Sequence, residues 1–213
     1  MSYLGVTLTN NLKWSQHVSS VSGKASKVLG LIKRNFSNCP RSVKEIAYAT
    51  LVRPKLEYGC EVSDRLFNKD ISSLECVQRK AARFYLSNYQ PTDSVTGMLR
   101  DLDWFSLETR RTIARLNLMY KICHGTVNID RNSYLRPYSK CRVKTRSSHD
   151  YKFLDIKATK DVYFYSFFPR TLRMWNKLPK GIFESNSLET LIFFILCFIF
   201  FSLLFYLFIF FLF

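Results

Sequence analysis

A mainly α-helical fold is predicted by the spacing of apolar residues, by the breakers between them and by the distribution of charge. Between residues 15 and 125 apolar side chains recur at intervals of three and four, the period of one helix face. Pro, Asn and Gly divide these stretches into helical lengths. All 32 Lys and Arg and all 16 Asp and Glu precede Leu191, so the formal net charge of +16 belongs to the body and residues 191–213 are wholly uncharged. The chain therefore reads as a helical bundle with a short N-terminal strand, an irregular basic C-terminal segment and a C-terminal hydrophobic helix.

The first element is Tyr3-Leu4-Gly5-Val6-Thr7-Leu8, β-rich and closed by the Asn10-Asn11 turn signal, which makes residues 1–14 one strand and its turn. From Ser15, the stripe Val18, Val21, Ala25, Val28, Leu29 and Ile32 predicts a helix with Lys24, Lys27, Lys33 and Arg34 on its flank. Asn38-Cys39-Pro40 ends it. Ser42-Val43-Lys44-Glu45 has the form of a capping box opening a helix through Ile46 and Leu51, which Pro54 kinks or breaks. Asp70 is a good N-cap for a third helix with Ile71, Leu74, Val77, Ala81 and Phe84 on one stripe and Arg79, Lys80 and Arg83 on the other faces. Ser94 starts a short helix leading to Trp104, a core anchor. Ser106 caps the next, whose stripe is Ile113, Leu116, Met119, Tyr120 and Cys123, with Arg110, Arg111 and Arg115 on its cationic side and Gly125 at its end.

Residues 126–190 hold few helical periods, with a possible short strand at Phe153 to Ile156 and a helix through Trp175 that stops before Pro179. The aromatic run Tyr163 to Phe168 has the composition of a base-stacking platform beside Arg170, but so many consecutive apolar residues favour the core. The basic stretch KCRVKTR, Lys140 to Arg146, is a solvated loop or a backbone-phosphate contact. As a helix, residues 191–213 would be roughly 35 Å long, enough to cross a hydrocarbon core of about 30 Å. That run uses only Phe, Leu, Ile, Ser, Cys and Tyr, all with thymine-rich codons, so it reads either as a membrane anchor or as low-complexity sequence read through from T-rich DNA.

The excess of cations points to a polyanionic partner, nucleic acid or an anionic lipid surface. The 6 Cys show neither CxxC pairs nor even spacing, and no N-terminal signal peptide precedes them, which suits a reducing compartment. The 3 His are scattered and assemble no zinc constellation.

Five segments, YLGVTLTNNLKWSQHV (Tyr3 to Val18), EYGCEV (Glu57 to Val62), LECVQRKAARF (Leu74 to Phe84), SLETRRTIARLNLMYKI (Ser106 to Ile122) and SFFPRTLRMWNKLP (Ser166 to Pro179), together resemble the C-terminal region of non-LTR retrotransposon reverse transcriptases, the polymerase part of LINE-like elements. The resemblance implies that Tyr3, Leu4 and Gly5 are primer-grip-like, that residues 15–125 form a thumb-like helical domain, that 126–190 are a basic post-thumb segment, and that 191–213 are a separate tail. It implies contact with template and primer, for which Lys24, Lys27, Arg34, Arg79, Lys80, Arg83, Arg110 and Arg111 are the candidate phosphate-binding residues. Two departures stand out. Val62-Ser63 replace a Trp of the family, leaving an underpacked position. After Ser187-Leu188-Glu189-Thr190 the family's amphipathic helix gives way to the apolar run.

Polymerase chemistry needs carboxylates that hold two divalent metals. The family's Tyr-Ala-Asp-Asp-like turn has no counterpart here. Asp101 and Asp103, the closely spaced aspartates, precede Trp104 at a helix end without a strand-turn-strand context. No Ser, Cys and His nucleophile arrangement is present either. The expectation is a non-enzymatic chain without cofactors or a small-molecule substrate, binding RNA or DNA without sequence preference. The alternative is a tail-anchored membrane protein with a basic cytosolic body, for which Lys177 and Lys180 before the apolar run fit the positive-inside tendency. Without the anchor, cytoplasm or nucleus is expected.

Overall fold

The computed structural model of the chain describes residues 1–62, 67–138, 151–178 and Phe183. It is mainly helical with a short two-stranded sheet at the N-terminus. The chain divides into two compact units, Met1–Arg111 and Thr112–Phe213. The N-terminal strands join the first helices in one unit, and the division falls inside one helix, because the apolar residues before and after it feed different cores.

In the first unit the expected single strand is a hairpin: β1 (Ser2–Tyr3) pairs antiparallel with β2 (Val6–Thr7), Tyr3 opposite Val6. Leu4 and Gly5 form the two-residue turn at φ 46° and 77°. Positive φ at both positions is the geometry that lets a tight turn match strand twist. Glycine adopts it freely, whereas Leu4 carries a cost of roughly 1–2 kcal/mol.

Helix α1 (Ser15–Asn35) follows the predicted phase, burying Val18, Ala25, Leu29 and Ile32. Helix α2 (Arg41–Ala47) starts after Pro40 with no side-chain cap, so the Ser42 and Glu45 capping box does not form. Glu45 instead accepts a hydrogen bond from the Tyr85 hydroxyl at 2.7 Å. A π-helical turn, Tyr48–Val52, then leads into α3 (Arg53–Glu57), with the Arg53 amide donating to the Tyr48 carbonyl. Pro54 offers no amide, and the extra residue in this turn absorbs the break. Tyr48, Val52 and Leu56 are buried, while Ile46 and Leu51 are exposed.

Helix α4 (Asn68–Leu86) buries Leu74, Val77, Ala81 and Phe84 as the spacing predicts. Asp70 is not its cap: Phe67 occupies that position, and Asp70 lies buried in the first turn, accepting from Ser15 Oγ at 2.8 Å. With Ser73 bonded to Ser22 at 3.3 Å further along, α1 and α4 run parallel. Their facing residues and those of α2 and α3 make one core, in which each fully buried Leu-sized side chain contributes about 1.5–3 kcal/mol. Helix α5 (Val95–Asp101) is capped by Ser94 as expected. Trp104 stacks on Tyr48 at 4.4 Å and tilts against Tyr85 at 5.5 Å, the anchor its position promised. Val62 is exposed, and Ser63, the other residue of the position expected to be underpacked, lies outside the described residues.

Helix α6 (Leu107–Cys123) begins in the first unit and continues in the second. Ser106 Oγ accepts from the Thr109 amide at 3.1 Å, the predicted cap. At the other end Gly125, at φ 67°, directs the Thr126 amide onto the Lys121 carbonyl at 3.0 Å. In the second unit Leu116, Met119, Tyr120 and Cys123 pack with Leu135, Phe153, Leu172, Trp175 and Leu178. A one-turn helix α7 (Arg131–Tyr134) precedes a single bridge, Pro137 opposite Phe153, in place of the strand expected at 153–156. Asn176 supplies the missing strand partner: its side chain accepts from the Phe153 amide at 3.2 Å and donates to the Phe153 carbonyl at 2.9 Å. Helices α8 (Asp161–Phe164) and α9 (Phe167–Trp175) follow among the described residues of the unit. The aromatic run is split between them. Phe167 and Phe168 pack on the core, but Tyr163 and Phe164 are exposed, so the core assignment holds only for its second half. The KCRVKTR stretch and the apolar tail lie outside the described residues.

Candidate nucleic-acid interface

The eight sequence-predicted cations separate into two groups. Lys24, Lys27 and Arg34 are exposed on α1, and Arg79 and Lys80 are exposed on α4. Because the two helices are parallel neighbours, these five belong to one packed pair of helices. Arg83 is half-buried and donates to the carbonyls of Gln90 at 2.7 Å and Asp93 at 3.4 Å, which holds the turn after α4. Arg110 and Arg111 face inward, contrary to expectation. Arg110 forms a two-point ion pair with Glu57 at the end of α3, the one such pair among the described residues. Arg111 is buried and donates to the Leu56 carbonyl at 2.6 Å. It stands four residues after Leu107, on the same helix face, and so shares that residue's burial. Arg115, one turn further, is likewise buried and donates to Thr112 Oγ1 at 3.0 Å.

The residues expected to be primer-grip-like form the hairpin end: Tyr3 closes β1, and Leu4 and Gly5 make the turn. The Tyr58 hydroxyl donates to the Leu4 carbonyl at 2.6 Å, and the Thr7 amide donates to His17 Nδ1 at 3.3 Å. The hairpin is thus tied to the end of α3 and to α1. Gly5, Val21, Lys24, Pro54, Lys55 and Tyr58 line an open recess of about 360 Å³ beneath it, so one predicted cation and one predicted primer-grip residue meet there. Burial, and then the nearby Arg111 and Lys24 charges, hold the His17 imidazole below its ordinary value. It is therefore neutral at pH 7, with Nδ1 accepting and the proton on Nε2.

A second cluster was not foreseen. The Lys44 ammonium lies 5.0 Å from the Phe84 ring centre, and that of Lys33 lies 5.9 Å from both Phe84 and Tyr89. Burial and the charge of Lys80 push Lys33 below the usual lysine value. Spacing assigned Lys33 and Lys80 to helix flanks correctly, but it does not say which flanks meet. Lys44 was read as part of a capping box.

Asp101 and Asp103 are exposed at the end of α5 and the following turn. Among the described residues no three His, Cys, Asp or Glu stand close enough together to hold a metal ion. No family model matches the chain, and comparison with curated proteins and with solved structures finds no similar protein.

Proposed function

We propose that this chain is the primer-grip, thumb and post-thumb region of a non-LTR retrotransposon reverse transcriptase, binding nucleic acid without sequence preference and without polymerase chemistry of its own. The observation that carries this is the set of exposed cations Lys24, Lys27, Arg34, Arg79 and Lys80 on two parallel helices, in a chain of formal charge +16. Extended phosphate backbones suit such an array, since each neutralised phosphate releases condensed counterions. The hairpin turn at Leu4 and Gly5 adjoins Lys24 through the recess, which supports reading both as one surface toward a primer strand.

The test is fluorescence anisotropy of the full chain in nonionic detergent against single strands and duplexes of unrelated sequence. Similar affinities are expected, with log K against log salt falling at a slope of about −3.5 on single strands if five cations each meet a phosphate. Binding that is absent at low salt, or indifferent to salt, contradicts the proposal.

A second reading rests on the uncharged run Leu191 to Phe213 preceded by Lys177 and Lys180: a single-pass tail anchor with the body in the cytosol. Among the described residues no helix is long and apolar enough to cross a membrane, and the run lies outside them. Protease protection of full-length protein in microsomes tests it: a body that is digested while the protein stays with the membrane supports the anchor, and a soluble full-length protein rules it out.

A further inference from the structure

Near the C-terminal ends of α1 and α4, lysines from two helices, Lys33 of α1 and Lys44 of α2, approach the Phe84 ring. Phe84 is almost fully buried, whereas Tyr89, just beyond α4, is 58% exposed. Lys44 reaches the Phe84 ring from α2 although it is only 8% exposed, and Lys33 adjoins both rings. Lys80 stands near Lys33, closely enough for its charge to disfavour that ammonium. Among the described residues no carboxylate pairs with any of the three. The nearby Glu45 carboxylate is engaged by the Tyr85 hydroxyl.

The proximity of Lys33 and Lys80 is unfavourable in the free protein, because like charges repel and the half-buried Lys33 ammonium has lost solvation. Ring faces offset part of that cost but carry no full negative charge. A bound anion offsets the rest. The exposed Tyr89 ring beside Lys33 adds a flat apolar surface on which a base stacks. From this geometry we infer a nucleotide subsite: Lys33 and Lys80 take a phosphoryl group, and Tyr89 stacks the base attached to it.

The inference rests on the nucleic-acid reading above and gives it one defined contact. Its ligand chemistry, a phosphate ester beside a flat base, is shared by free mononucleotides and by polynucleotide strands. The site is tested on the full chain in nonionic detergent with oligothymidine, with an abasic strand of equal length, and with adenosine monophosphate and inorganic phosphate as competitors. Tyr89→Leu is expected to weaken oligothymidine binding about tenfold and to leave the abasic strand unaffected. Lys33→Gln and Lys80→Gln are each expected to weaken both strands and to reduce the salt slope by about 0.7. Lys157→Gln, an equal charge change on an exposed residue of the second unit, serves as the control. Competition by adenosine monophosphate well below the inorganic phosphate concentration needed identifies free nucleotide as a sufficient ligand. Equal competition by the two at matched charge, with Tyr89→Leu silent, removes the base from the site and overturns it. Strand binding by the unaltered chain that survives all three substitutions overturns the subsite alone, and no strand binding by the unaltered chain overturns the general reading with it.

Discussion

Arg79-Lys80 on α4 and Arg110-Arg111 on α6 look alike in the sequence, each a dibasic pair inside an amphipathic helix, yet the structure uses them in opposite ways. The α4 pair is exposed to solvent, while the α6 pair is tied to the end of α3 through the Glu57 carboxylate and the Leu56 carbonyl. The difference comes from the neighbour each helix meets. α4 packs along α1 through its apolar stripe and leaves its basic residues outside, whereas the start of α6 points its guanidinium groups at the carboxylate and carbonyl where α3 ends. A cation in a sequence therefore faces solvent in one place and is an internal strut in another. The distinction is measurable as stability against binding.

The largest effect is expected at Arg111. Arg111→Met removes a buried donor, leaves the Leu56 carbonyl unsatisfied and changes packed volume, costing about 2–4 kcal/mol of stability by urea denaturation. A loss below about 0.5 kcal/mol, the range of ordinary surface changes, would erase the contrast with α4. Arg110→Gln is expected to cost less, about 1 kcal/mol, because its ion pair is partly exposed and screened.

His17 sharpens the comparison through pH. Its value is lowered in the folded state, so the unfolded chain takes up the proton first as pH falls. The stability that comes from keeping His17 neutral is complete above its ordinary value of 6.5 and is lost as pH falls below that toward the folded value. Denaturation midpoints should decline over this window in the unaltered chain and decline less in His17→Gln, measured against each protein's own value at pH 7.5. Equal slopes in both would remove His17 from the hairpin attachment. The smallest stability effect is expected for Arg79→Gln with Lys80→Gln, within about 0.5 kcal/mol of the unaltered chain.

Local signals were legible where the partner is local. Ser94 and Ser106 cap their helices, and Gly125 ends α6, because each acts on a backbone group within a few residues. The stripes of α1 and α4 were equally readable from their period. What failed depended on distant partners. Asp70 serves Ser15 and Glu45 serves Tyr85, so neither was left to cap a helix. The π-helical turn before Pro54 departs from α-helical geometry, which no period of 3.6 anticipates. The hairpin was missed because Leu4-Gly5 lacks the Asn-Gly or Asp-Gly signature of such turns. Of the candidate interface, the five exposed cations were visible as helix flanks. The cluster of Lys33, Lys44 and Tyr89 exists only through the meeting of α1, α2 and α4.

The salt dependence of single-strand binding by two variants tests the central contrast most directly. In the chain carrying Arg79→Gln and Lys80→Gln the log–log slope should become shallower by about 1.4, since two phosphate contacts are lost. In the chain carrying Arg110→Gln it should stay at the unaltered value. A shallower slope for Arg110→Gln, or an unchanged slope for the α4 pair, would contradict the assignment of exposed helix flanks to phosphate and inward arginines to structure.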